Sequence, residues 1–587
     1  MRKIVLFLSG EWTSSISRLI EPDDILIFAP GLKPSDCNLK CIELEPSIKE
    51  YEREVTDFLV DIYLKHESTP SAQYLGCFLN DFYSYSLKPL IAIVLGLKKW
   101  INNTEISEIL VITARPMGNR IPMVGFQTTE SSRGSRNLLN SRLAALLPII
   151  FSELNFSYKY IKGDLLCIEP FRQTLVGSAN ICYIALLASK TILLNLFKHQ
   201  STASEKIGNI VIVRNGHQAR FASRLKNEKA SVFFAVLPQA TQGSLKELLR
   251  LQKQLSSSFT LLKLSPNLVL RAVSKTWIDL INLRKFSRSL KEENLKISGL
   301  SIPIKLSDIT SEIQLISVTV FYKNILSNIL KSSQAARLIN FELVGRMAGL
   351  EAMAARENDT INHSIQSALI SSRPHPIFPY SDFFHTDSAT TVGMIKYNGS
   401  KSVGHVVYSG PPYPLRDMKI SEEYRKISFF TQPYEPLTTF KIISALSQWA
   451  RSSGAGITLR LHPRDKPDKY NPLLVEFFDV LTLDTSNGVV QIIEKSDLCI
   501  TRTSSVAKEA LALGRPILLC LWSQLDCTAE ADFILRNEDL NYCSHSDSEL
   551  IKLLNNPALI NKNSQQLRAG MFMDKTASNL SAEIFER

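Results

Sequence analysis

The sequence has no Cys-x-x-Cys pair, no apolar run of the ~20 residues a membrane-spanning helix needs, and no low-complexity tract. Its nine cysteines, at 37, 41, 77, 167, 182, 499, 520, 527 and 543, are an odd number scattered over 587 residues. Several sit inside apolar runs such as Leu498-Cys499-Ile500. They read as reduced core residues of a cytoplasmic protein, not as disulfides or zinc ligands. With 24 glycines and 26 prolines the chain is not fibrous, and 45% hydrophobic with 21% charged residues excludes general disorder. The most apolar stretch, 181–197, is interrupted by Lys190; a buried helix is the plain reading and an interfacial helix the alternative. The opening Met1-Arg2-Lys3 with five apolar residues reaches Glu11 too soon for a leader, so a first β-strand is expected.

The length suggests two to four domains. The net charge, 67 − 56 = +11, fits an anionic partner: a membrane surface, a nucleotide or an acidic polymer. Its basic residues are dispersed and accompany no recognition motif, which argues against nucleic acid.

Short β-rich runs alternate with helical patterns, the mark of parallel α/β layers. Strands are expected at 4–8, 24–30, 108–113, 209–213, 231–237 and 360–366, with a helix between 216 and 229. The stretch 244–331 reads as a mostly helical, basic insertion, and 338–358 as one long helix. Gly410-Pro411-Pro412-Tyr413-Pro414 is the strongest linker signal. Beyond it lies a compact α/β unit, with strands expected at 426–430, 456–461, 488–493, 498–500 and 516–521 and helices at 438–453 and from 504. The expected division is therefore an N-terminal α/β domain over 1–412 and a C-terminal one over 413–587.

Several motifs are missing. Without GxxxxGK[ST] there is no P-loop, and without GxGxxG after a strand no dinucleotide fingerprint. HExxH and GxSxG are absent. No DxD pair is present to clamp a metal on a pyrophosphate, so no metal and no other cofactor is expected.

Two elements of the C-terminal unit carry chemistry. In Leu459-Arg460-Leu461-His462-Pro463-Arg464-Asp465-Lys466, His462 stands where a strand ends and Pro463 turns the chain, among basic neighbours. Ligands of open α/β sheets bind at the carboxyl ends of the strands. The second element, Thr501-Arg502-Thr503-Ser504-Ser505, is a hydroxyl-rich turn between a strand and a helix that stops at Gly514. Ser504 or Ser505 is placed to cap that helix, whose first amides suit a phosphate. Thr431 and Gln432 end a third strand, and Glu509, one turn into the helix, is a candidate for a ribose hydroxyl. Taken singly, a turn histidine, a capped helix and a solvent-facing glutamate explain these residues as well. Their coincidence at the strand ends of one sheet favours a nucleotide phosphate held as a leaving group.

Phe429-Phe430-Thr431-Gln432-Pro433, Leu461-His462-Pro463 and Thr503-Ser504-Ser505 followed by Glu509-Ala510-Leu511-Ala512-Leu513-Gly514-Arg515-Pro516 resemble bacterial surface-polysaccharide glycosyltransferases of the GT-B fold. The resemblance is to sialyltransferase- and polysialyltransferase-like enzymes that use CMP-activated sugars, and it covers about the last third of the chain. It implies two Rossmann-like domains facing a central cleft, with the donor held C-terminally and a glycan or glycolipid acceptor on the N-terminal side. It implies CMP contacts from His462, Pro463, Ser504 and Ser505, with Thr503 beside them. In that family a strand preceding the C-terminal unit often ends in Gln-His-Gly, where this sequence has Ile365-Gln366-Ser367. The family also places a catalytic carboxylate in its N-terminal domain, and no full copy of that motif is present here.

Inverting transfer needs a general base. Glu11, after the first strand, and Asp81, among aromatic residues, are the candidates, and Arg115 is a candidate partner for an acidic sugar's carboxylate. Polyol-phosphate transfer from a CDP donor and UDP- or GDP-sugar transfer are the enzymatic alternatives. A non-catalytic component of a capsule assembly complex is the alternative of another class. A cytoplasmic location is expected, with peripheral contact at an anionic membrane face as a further candidate.

Overall fold

The structure, a computed structural model, describes residues 2–7, 25–28, 41–42, 51–83, 106–113, 158–162, 208–214, 230–234, 260–261, 265–305, 317–341, 345–367, 375–401, 404–411, 415–432, 435–462, 465–485, 488–523 and 543–572, with single positions between them. The expected helix at 181–197 lies outside the described residues.

Three parallel sheets follow one another along the chain. The first holds β1 (Arg2–Phe7), β2 (Ile25–Phe28), β3 (Cys41–Ile42), β4 (Ile106–Thr113) and β5 (Tyr158–Lys162) in the order β3-β2-β1-β4-β5. Helices α1 (Glu52–Leu64) and α2 (Pro70–Phe82) fall between β3 and β4. Thr69 caps α2 by accepting from the Ala72 amide at 3.3 Å, and Pro70 occupies the first helical position, where no amide partner is needed.

The second sheet starts with β6 (Asn209–Val213), β7 (Ala230–Phe234) and β8 (Thr260–Leu261). After it come α3 (Pro266–Ser289), a hairpin of β9 (Glu292–Ile297) and β10 (Leu300–Lys305), and α4 (Ser317–Ser333). The stretch expected to be mostly helical therefore includes an antiparallel hairpin. Ser298 and Gly299 both have positive φ, 52° and 75°, and join Ile297 directly to Leu300, as a primed two-residue turn requires. The sheet continues with β11 (Arg337–Asn340), β12 (Ile361–Ile365), β14 (Phe383–Thr386) and β16 (His405–Tyr408), in the order β16-β14-β12-β11-β6-β7-β8. A small side pair, β13 (His375–Ile377) with β15 (Gly399–Lys401), lies outside it. Helices α5 (Arg346–Arg356) and α6 (Ala389–Asn398) complete this layer. The long helix expected over 338–358 is in fact β11 followed by α5.

The third sheet comprises β17 (Lys426–Phe430), β18 (Gly456–Arg460), β19 (Leu481–Leu483), β20 (Leu498–Thr501), β21 (Ile517–Cys520) and β22 (Cys543–Ser544), ordered β19-β18-β17-β20-β21-β22. Between these strands run α7 (Pro436–Ser453), α8 (Asn471–Glu476), α9 (Val489–Lys495) and α10 (Val506–Ala512), and after them α11 (Asp547–Leu554) and α12 (Pro557–Met571). The chain is thus an α/β protein. Its second and third sheets form the expected Rossmann-like succession, and a further parallel sheet precedes them. The linker signal at 410–414 falls between β16 and β17.

One apolar core joins α1, α2, α4, α5, β6 and the hairpin. Gly349 lets α5 approach α2 closely: a Cβ there would lie 2.8 Å from the Cys77 Cα. Within this core Arg214 forms an ion pair with Glu351, whose carboxylate also accepts from the Tyr322 hydroxyl at 2.7 Å. A second apolar core is shared between layers. Phe378, Phe384 and Ile395 of the second pack with Phe430, Ile493, Leu511 and Met571 of the third. Lys508 on α10 adds an ion pair to Asp387, just past β14, at 2.7 Å.

At the start of the third sheet, Asp497 accepts from the Lys426 amide at 2.9 Å and the Arg425 amide at 3.3 Å, and pairs with Lys419. Burial pushes this carboxyl up, but Lys419 and the two amides outweigh it and hold it below the usual range. A depressed carboxyl contributes stability above its unfolded pKa, about 3.9, and loses it as pH falls through the folded value. Asp497→Asn should therefore lower the urea midpoint at pH 7, and that penalty should fade as the solution is acidified below the usual carboxylate range. Gly514 (φ 72°) closes α10, and a Cβ there would meet the Asp417 carbonyl at 2.0 Å. Gly514→Ala should cost about 2 kcal/mol or more, read from the urea midpoint, because the linker bond from the Lys419 amide to the Gly514 carbonyl depends on that approach.

Two thiols lie deep in the cores of this protein. Cys77 and Cys499 are fully enclosed, and burial pushes both up to about 12.

Candidate functional site

In the third sheet the chain runs outward from β17 to β18 and β19, then returns to the other side of β17 as β20, β21 and β22. The direction reverses between β17 and β20, and such a switch point opens a crevice at the carboxyl ends of the strands. Phe430 is in register with Arg460 on one side and Thr501 on the other. The segments carrying Thr431-Gln432, His462 and Thr503-Ser504-Ser505 therefore leave the sheet side by side at one edge. That is the structural content of the sequence expectation.

Local bonds fix these segments. The Thr431 amide donates to the Arg460 carbonyl at 3.0 Å, and the His462 amide donates to Thr431 Oγ1 at 2.9 Å. Thr431 Oγ1 in turn donates to Asp465 Oδ2 at 3.1 Å, and the Asp465 amide donates back to the His462 carbonyl at 2.8 Å. Tyr470 donates its hydroxyl to the same carboxylate at 2.5 Å, and burial together with Asp465 holds that phenol well above its ordinary range. The His462 turn is thus gripped through its main chain, with the half-buried imidazole on a fixed base.

On the other side of β17, Thr501 donates to the Phe430 carbonyl at 2.9 Å. Ser504 Oγ accepts from the Val506 amide at 3.3 Å, while Ser505, at the cap position of α10, makes no side-chain cap. Neither serine makes the expected N-cap: Ser504 stands one residue before the cap position, and its hydroxyl closes a local turn instead. Helix α10 has only seven residues, so any phosphate affinity here rests on hydroxyls more than on a helix dipole. Gln432, Thr503, Ser504, Ser505 and Glu509 are all half-buried at this edge.

Arg460, one of the basic residues beside His462, donates to the Asp484 carbonyl at 3.0 Å. Pro463, Glu11 and Arg115 lie outside the described residues, and Asp81 is placed only as a backbone position in α2. In sequence, Glu11 and Arg115 follow β1 and β4, the adjacent pair at which the first sheet reverses direction.

Four further residues bear on the site. Fully buried Arg502 donates to Glu435 Oε2 at 2.6 Å, to Ser523 Oγ at 3.2 Å and to Thr439 Oγ1 at 3.2 Å. It thereby ties the hydroxyl-rich turn to the start of α7 and to the end of β21. Glu435 itself sits at φ 44°, a conformation side chains seldom adopt, directly before Pro436. Asp465 and Lys508 are the other two. Their strings were visible in the sequence, but charged residues beside hydroxyls ordinarily face solvent, and nothing local announces a buried partner. Among the described residues no group of three or more His, Cys, Asp or Glu side chains is arranged to hold a metal.

No protein-family model and no curated protein matches the sequence. Solved structures with a similar layering include a glycosyltransferase from Rickettsia africae, 9% identical, TM-score 0.38, covering 66% of this chain and 98% of that one. The glycosyltransferase SnogD from Streptomyces nogalater is 12% identical, TM-score 0.38, with 66% and 98% covered. The wall teichoic acid polymerase TagF is 13% identical, TM-score 0.37, with 72% and 96% covered. At such scores the fold stands on the sheet order itself, and the activity on the site.

Proposed function

We propose that this chain is a metal-independent glycosyltransferase whose third layer binds a nucleotide-activated sugar. The observation that carries the reading is the meeting of the His462 turn, Thr431-Gln432 and the Thr503–Ser505 hydroxyls at the switch point of one parallel sheet. In this reading the acceptor hydroxyl oxygen attacks the anomeric carbon, the bond from that carbon to the phosphate oxygen breaks, and the nucleotide leaves. His462, with Thr503, Ser504 and Ser505, offsets the charge gathering on the departing phosphate. Gln432 and Glu509 hold the nucleoside, Glu509 through a ribose hydroxyl. A carboxylate from the N-terminal part, Glu11 or Asp81, takes the acceptor's proton.

The sequence resemblance favours a CMP-activated acidic sugar, with Arg115 pairing its carboxylate, and a glycan or glycolipid acceptor. The test is a donor panel of CMP-, UDP- and GDP-sugars and CDP-glycerol, read by the nucleotide released. CMP release from a CMP-sugar, dependent on acceptor, supports the reading. Silence with every CMP-sugar and turnover of another donor reassigns the nucleotide. Nucleotide binding without any turnover makes the chain a non-catalytic component.

A further inference from the structure

Among the described residues no helix is long and apolar enough to cross a membrane. One helix nevertheless presents an uncovered apolar face. α3 begins at a capped Ser265-Pro266 and runs for 24 residues. Val269, Ala272, Thr276 and Leu283 face inward against α2 and α4. Its single acid, Asp279, is turned inward as well, accepting from Tyr74 at 2.7 Å and Asn324 at 2.9 Å. On the opposite side Leu270 is 57%, Trp277 49%, Ile278 57% and Ile281 42% exposed. At about 100° per residue these four share one stripe with exposed Arg284, Lys285 and Arg288. No acid stands on that stripe, and none of the three basic residues pairs with an acid among the described residues.

Single exposed apolar side chains are ordinary on soluble proteins; a Trp, two Ile and a Leu on one helix face, continued by three cations, are not. A tryptophan and aliphatic residues beside arginine and lysine match the boundary of an anionic bilayer, where apolar groups enter the acyl region and cations meet lipid phosphates. We propose that the outward face of α3 docks the protein on an anionic lipid surface. This stands independently of the reading of the strand-end site, because it concerns adsorption and not turnover.

The test uses the full chain and phosphatidylcholine vesicles, neutral or made anionic with phosphatidylglycerol, in a flotation assay. The wild type should float with anionic vesicles and not with neutral ones, and brominated lipid should quench Trp277 fluorescence, a signal lost in Trp277→Phe. Arg284→Glu with Lys285→Glu, and separately Ile278→Ser with Ile281→Ser, should each weaken binding at least about tenfold. Lys552→Glu with Lys562→Glu, the same charge change on α11 and α12, should leave it unchanged. All of these side chains are exposed, so unaltered thermal melts are expected to confirm folding. Absence of binding to anionic vesicles overturns the proposal, as does equal weakening by the control pair. Self-association abolished by the isoleucine variant, with no vesicle binding, assigns the face to a second copy and overturns it too.

Discussion

His462→Ala should lower kcat/KM for the turned-over donor by about 10²–10³-fold, the loss seen when one group that stabilises developing charge is removed. The same variant should remain folded, read from a cooperative urea transition. That separation follows from how the turn is held. The His462 amide and carbonyl make the bonds to Thr431 and Asp465, and alanine keeps both. Thr431→Val supplies the contrast, since it removes the acceptor for the His462 amide and a donor to Asp465 at once, disturbing the turn while leaving the imidazole in place. Activity of His462→Ala within threefold of wild type would remove the histidine from the chemistry.

The largest stability effect is expected far from that edge. Glu351→Ala should destabilise the chain by about 3–5 kcal/mol, because it removes the carboxylate that pairs with the Arg214 guanidinium inside the core. Arg214 is 3% and Glu351 0% exposed, so water cannot substitute. Replacing both together, Arg214→Met with Glu351→Leu, should recover most of the loss, since an ion pair taken out of water returns little over an apolar pair of similar volume. Urea unfolding of the two single variants and the double variant measures the coupling. If the double variant falls by the sum of the singles, the pair is not acting as a unit.

Much of the layered fold was legible because parallel strands buried on both faces read as continuous apolar runs. Asn209–Val213 and Lys426–Phe430 have the expected boundaries. The misreadings share a cause, the ambiguity of short apolar runs. Val489-Val490-Gln491-Ile492-Ile493 suggested a strand, yet its apolar positions also fit one helical face, and Gln491 accepting from the Gly488 amide starts α9. In 338–358 the high helix propensity of Met347 to Ala355 masks β11, whose Leu338 and Ile339 are core residues of a central strand. The hairpin signal, Ser298-Gly299 between period-2 apolar residues, is short beside the helical patterns on either side.

For the site, strand-end position was readable from the His-Pro and Thr-Ser-Ser turns. The order of strands was not, since nothing local in the sequence says that β20 returns beside β17. The long-range partners of Arg502 and Lys508 were hidden for a related reason: Glu435 is brought near by that crossover, and Asp387 by the packing of the second layer on the third.

The apolar core shared by Phe378, Phe384 and Ile395 with Phe430, Leu511 and Met571 bears on how this protein can be divided. Cleavage within the linker at 410–414 separates two sheets in sequence, but each fragment would then display to water the half of a greasy seam that the other normally seals. Co-expressed halves should accordingly find each other and copurify, whereas either made alone should be prone to clump.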